Sequence, residues 1–113
     1  MSPDHYPVLW TGEIATVRVP AEVDVTNANQ VLSGLISALD RGAKTVIADM
    51  STTTFCDSAA VAAVVRAHRR AVADQASLRL VAQAPAVLRV LSLTGVDKLV
   101  PVYPTLSAAQ PTS

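Results

Sequence analysis

The segment Thr45-Val46-Ile47-Ala48-Asp49-Met50 constrains the fold more than any other stretch of this chain. It is a nearly continuous apolar run of strand length. A strand exposed on one face alternates polar and apolar residues, whereas a run like this suits a strand covered on both faces, as in the middle of a parallel sheet. Parallel neighbours need crossover connections, so helices are expected on either side of it in the sequence.

Both are legible. Upstream, Ala28, Val31, Leu32, Leu35, Ile36 and Leu39 recur at helical spacing. Asn27 stands at the N-cap with Gln30 in the capping-box position, and Gly42 follows as a residue that can take the left-handed conformation. Downstream, Thr52 to Cys56 reads as a loop, and Asp57-Ser58 opens a second helix running to about Ala73. Its Val61, Val64, Val65, His68 and Val72 share one face, an apolar stripe. Ala59, Ala63 and Ala67 are placed on other faces, where small side chains permit close approach by another surface.

The remaining elements follow the same alternation. Val8 to Trp10, a Thr11-Gly12-Glu13 turn and Ile14 to Val19 suggest a hairpin ended by Pro20, with Trp10 packing on it. Leu78 to Val81 reads as a further parallel strand. Pro85 opens a third helix with Val87, Leu88 and Leu91 inward and Gly95 at its end. Leu99 to Tyr103 reads as a last strand, and Thr105 caps a short helix through Ala109. The order β-β-α-β-α-β-α-β-α predicts one α/β domain with a mostly parallel or mixed sheet, an N-terminal hairpin and about four helices. Residues 1–7 are read as an extension, 8–109 as the domain and 110–113 as a flexible tail.

Composition narrows the function. Nine basic and nine acidic residues give a net charge of zero, which argues against nonspecific nucleic-acid binding. Met1 to His5 lacks the basic-then-apolar pattern of a secretory signal, and no apolar run reaches membrane-spanning length, so no membrane insertion is expected. The lone Cys56 fits a reducing compartment, with cytoplasm the default.

Catalytic chemistry finds no foothold. The four glycines, at 12, 34, 42 and 95, build no phosphate-binding loop. The single Cys and two His offer no zinc spacing, and no cofactor is expected. Ala62 stands where a Cys-x5-Arg phosphatase needs Arg, and Ala59 where a D-x-D phosphatase needs Asp. Ser58 and His68 lie ten residues apart, about 15 Å along a helix, too far for a nucleophile–base pair. Cys56 reads as a small buried hydrophobe, and His68 as a partly buried packing residue. Arg66, Arg69 and Arg70 complement the negative end of their helix, with contact to an acidic partner patch as the second reading.

Ser58 is the candidate site. Asp57 or Ser58 can serve as a plain helix cap. A phosphoryl group on Ser58 would also be tolerated, because a helix N-terminus favours an anion. It would add a charge of about −1.5 to −2 beside Ala59, Ala60 and Ala63 and so bar a docked partner.

Val46 to Ser51, together with Phe55-Cys56-Asp57-Ser58-Ala59, resembles the strand, loop and D-S-[ST]-G helix start of STAS domains, in particular of bacterial anti-sigma factor antagonists. Leu78-Arg79-Leu80-Val81, Val90 to Leu99, and Pro101-Val102-Tyr103 are similar to that family's second half. Glu22-Val23-Asp24 is similar to its G-E-[LV]-D loop. The resemblance implies a non-enzymatic switch. An anti-sigma factor with serine kinase activity phosphorylates the serine at the Ser58 position, and a metal-dependent serine phosphatase resets it. Asp57 matches the neighbouring acid, and Asp24 an acidic loop residue beside the site. The chain departs from the family pattern at Ala59, Ala60 and Ala21, which replace a Ser/Thr and two glycines. An alternative reading is an unphosphorylated adaptor subunit of a lipid-transport permease.

Overall fold

The computed structural model describes residues 6–111. The readings placed on residues 1–5 and on the last two residues of the tail lie outside them. Val8–Thr11 (β1) and Ile14–Arg18 (β2) form the expected antiparallel hairpin, with Val8 opposite Val17 and Thr11 opposite Ile14. Gly12, at φ +59°, makes its two-residue turn without the Cβ clash that conformation imposes on other residues. On β1, half-buried Trp10 carries the Arg41 guanidinium 5.3 Å from its ring centroid.

β2 pairs in parallel with Thr45–Met50 (β4), which pairs in parallel with Ser77–Ala82 (β6), which pairs in parallel with Val102–Tyr103 (β7). The order β1-β2-β4-β6-β7 puts β4 at the centre, and all six of its residues are buried. Its near-continuous apolar run therefore has the predicted cause. One face, including Ala15, Val17, Val46, Ala48, Leu78 and Leu80, meets the helices Ala28–Asp40 (α1), Ser58–Ala73 (α2) and Pro85–Leu93 (α3). The other carries Ile47 and Val81 beneath the one-turn helix Leu106–Ala109 (α5), capped by Thr105 as expected.

The structure corrects the reading in four places. The buried face of α2 is Ala60, Ala63, Val64, Ala67 and Ala71, so of the valine stripe Val64 alone is fully inside, with Val61 and Val65 partly buried against the core. Val72 is 60 % exposed, while Ala67 is fully buried. Leu88, expected inside, is exposed on α3, whose Val87 and Leu91 are buried in the core with Val90 partly buried against it. The span Leu99 to Tyr103 is a strand only at β7. After Gly95, at φ +79°, the chain makes one extra helical turn, Val96–Leu99 (α4), which buries Val96 and Val100. Pro101, with no N–H, then contributes only its carbonyl, which accepts from the Leu80 amide at 2.9 Å. The fourth is Asn27. It occupies the N-cap of α1, yet its side chain makes no capping bond and turns back toward the preceding loop.

Candidate functional site

Two strands absent from the sequence reading position the site. Glu22–Val23 (β3) pairs in parallel with Phe55–Cys56 (β5), with Val23 opposite Cys56. The Asp57 amide continues this ladder by donating to the Val23 carbonyl at 3.2 Å. Asp24 and Asp57 therefore leave neighbouring strand ends side by side, immediately before Ser58. The segment expected to be all loop is pinned along its length. The amide of Thr54 donates to the Ala21 carbonyl at 2.8 Å, and the hydroxyl of fully buried Thr53 donates to the Pro20 carbonyl at 2.9 Å.

Thr53→Val keeps the shape but leaves the Pro20 carbonyl without this donor. The expected cost is about 1–3 kcal/mol, read as a lower urea midpoint with an unchanged slope. An unchanged midpoint would show that the buried hydroxyl does not hold the loop.

Asp57 alone caps α2. Its Oδ1 accepts from the amides of Ala59 at 2.9 Å and Ala60 at 3.4 Å. The ambiguity between Asp57 and Ser58 as cap is thereby resolved. The hydroxyl of Ser58, exposed at the first position of α2, makes no hydrogen bond among the described residues. Its hydroxyl is free for chemistry performed by another molecule.

Asp24 is held in place by its own turn. Its Oδ1 accepts from the Thr26 amide at 2.9 Å and from the Thr26 hydroxyl. These two bonds hold its carboxyl below the usual carboxylate range. The turn they make is thus kept above that range and weakens only as the pH falls through the lowered value. Asn27 buttresses the loop from behind, accepting from the Asp24 amide at 3.0 Å and donating to the Glu22 carbonyl at 2.8 Å. Its spacing three residues after Asp24 was the available signal, outweighed in the sequence by the capping-box pattern.

Of the remaining predicted site residues, Ala59 is half-buried, whereas Ala60 and Ala63 face the core. They are packing groups and not an exposed apolar patch. The buried position of Ala60 also means that a Cβ there does not stand in front of Ser58. Ala21 has no positive φ, so its backbone has no need of glycine's freedom.

Nucleophilic chemistry gains no support from the geometry. Cys56 is buried, and burial, with the Asp57 charge beside it, pushes its thiol up, away from the reactive thiolate. α2 is one continuous helix from Ser58 to Ala73, so His68 stands about 15 Å along it from Ser58. Among the described residues no cluster of His, Cys, Asp or Glu could hold a metal, and no helix is long and apolar enough to cross a membrane.

The three arginines of α2 are separated by their surroundings. Arg70 pairs with Asp40 at the end of α1 and with Asp74 at 3.2 Å, which ties the C-terminal ends of the two helices together. Arg66 lines a shallow groove between the N-terminal halves of α1 and α2, and Arg69 is exposed.

No curated protein matches this chain. Among solved structures it is similar to an anti-sigma factor antagonist from Mycobacterium paratuberculosis, at 25 % identity over 96 % of this chain and 93 % of that one, with a TM-score of 0.84. It shares its fold with a putative anti-sigma factor antagonist from Thermotoga maritima, at 24 % identity over 94 % and 92 % and a TM-score of 0.83. It likewise shares the fold of the antagonist SpoIIAA in its unphosphorylated form, at 23 % identity over 93 % and 92 % and a TM-score of 0.77. The model of the STAS domain covers residues 7–109, from the residue before β1 to the last residue of α5, and on that match the chain belongs to the STAS domain family.

Proposed function

We propose that this chain is an anti-sigma factor antagonist that works as a phosphorylation-controlled binding switch, with Ser58 as phosphoacceptor and no catalysis of its own. The observation that carries this is the division of labour at the start of α2. Asp57 takes the capping bonds, so Ser58 presents an exposed, unengaged hydroxyl where a helix N-terminus tolerates an anion. The likeness to antagonists supports the partner class, and SpoIIAA has been solved in both its unphosphorylated and its phosphorylated form. The partner is an anti-sigma factor carrying serine kinase activity, and a metal-dependent phosphatase returns Ser58 to its free state. The setting is the cytoplasm, where sigma factors act.

The test is phosphosite mapping after incubation with ATP and the anti-sigma kinase retrieved on this chain from its own lysate. Phosphate is expected on Ser58, and Ser58→Ala is expected to bind the kinase and incorporate none. Equal labelling of both proteins would overturn the assignment. A retrieved partner that binds yet never labels wild type would replace it with the adaptor reading.

A further inference from the structure

α5 covers part of the sheet face turned away from α1, α2 and α3, over Ile47 and Val81. Beside α5 a pocket of about 270 Å³ opens over β2 and β4. Leu9 of β1 and Leu106 of α5 supply its apolar walls, and Thr16, Arg18 and Asp49 its polar groups. The register explains the grouping. Leu9 stands opposite Thr16 and Arg18 beside Asp49, so the four strand side chains share this face. Asp49 is only 3 % exposed. Its Oδ1 accepts from the Ser51 amide at 3.0 Å. Its Oδ2 makes no hydrogen bond among the described residues and reaches the pocket surface. Arg18 is exposed one strand away, a spacing of about 4.8 Å. It forms no ion pair with Asp49 or with any other described carboxylate. A nearly buried carboxylate oxygen without a donor is costly, and it marks a place for a donor from outside the chain.

We propose that this pocket binds a small zwitterion of the α-amino-acid class with an apolar side chain. Its ammonium donates to Asp49 Oδ2, its carboxylate accepts from the Arg18 guanidinium fork, and its side chain lies between Leu9 and Leu106. The two charges select the class. A bare amine is repelled by Arg18 and a bare acid by Asp49, whereas a molecule carrying both signs at neighbouring atoms satisfies both. The volume lies just below the usual range for ligand sites, about 300–1,000 Å³, which suits a leucine-sized molecule. The pocket lies across the sheet from α2 and Ser58, and the inference does not rest on the switch reading.

The experiment titrates L-leucine into the full chain and follows backbone amide signals by NMR. L-Leucinamide, which lacks the carboxylate, and N-acetyl-L-leucine, which lacks the ammonium, are the comparators. Leucine is expected to saturate at about millimolar concentration, in keeping with its size, and to shift the amides of Leu9, Thr16, Asp49 and Leu106. Each comparator should bind about tenfold more weakly or worse, because it loses one charged hydrogen bond. Arg18→Gln, at an exposed position, should bind leucine about tenfold more weakly and no longer prefer it to leucinamide. Asp49→Asn should lose leucine by a similar factor. Arg69→Gln, on α2 across the sheet, should bind as wild type. No saturable shift up to about 50 mM would mean that water alone fills the pocket, and would overturn the proposal. So would equal affinity for leucine and either comparator, or equal losses in Arg18→Gln and Arg69→Gln. The comparators are read on the wild-type chain, so they decide the matter even if Asp49→Asn does not fold.

Discussion

Ser58→Asp is expected to fold as wild type and to bind its kinase partner about a hundredfold more weakly, a loss of about 3 kcal/mol, because an unpaired charge is costly in an interface. Stability and recognition respond to different surroundings. In the free protein the new carboxylate is exposed at a helix N-terminus, where the dipole favours it and the neighbouring Asp57 opposes it. The net change in folding free energy should stay within about 1 kcal/mol. In the complex, phosphoryl transfer requires the terminal phosphate of ATP to lie in line with the Ser58 oxygen. A negative charge already at that position meets the nucleotide phosphates and must also shed its water. Ser58→Ala removes a hydroxyl that makes no hydrogen bond and caps nothing, so it should leave both stability and affinity unchanged. Calorimetric titration of the three proteins against the ATP-bound kinase, with thermal unfolding alongside, separates the two effects. Wild-type affinity for Ser58→Asp would mean that the partner does not read this position, whatever phosphorylates it.

The parts of this design that were legible in the sequence are those fixed by local rules. The apolar run of β4 declares burial on both faces, Gly12, Gly42 and Gly95 mark positive φ, and Pro85 and Thr105 mark helix starts. Ser58 was found because Asp57-Ser58 sits where a helix must begin. The arrangement around it depends on pairing between segments about thirty residues apart, for which the chain gives no local sign. β3 and β5 have two residues each, too short for an alternation to register, yet they bring Asp24 beside Asp57. Asn27 has the residue type and spacing of a capping box, but its side chain is drawn into the loop, where it satisfies an amide and a carbonyl at once. Capping preference is a local tendency, and here the tertiary bonds outweigh it.

The face of α2 was misread for a different reason, and this sets the second large expected effect. Residues 60, 63, 64, 67 and 71 and residues 61, 64, 65, 68 and 72 are both sound helical stripes, offset by one position and sharing Val64. Ranking by side-chain hydrophobicity picks the valines. Close packing of α2 on the sheet and on α1 picks the alanines, because bulk on that stripe would lift the helix from both. Ala67→Leu puts three extra carbons where no solvent-exposed surface remains, and overpacking of this kind costs about 1–3 kcal/mol. Val72→Ala removes a side chain that is 60 % exposed. It should be neutral or up to about 0.5 kcal/mol stabilising, since alanine is the better helix former. Were the valine stripe the inner one, the order would reverse, and Val72→Ala would cost about 2 kcal/mol in lost burial and cavity. Urea unfolding of both variants decides the matter, and Val72→Ala does so even if Ala67→Leu does not fold. A midpoint for Val72→Ala well below wild type would show that α2 packs through its valines.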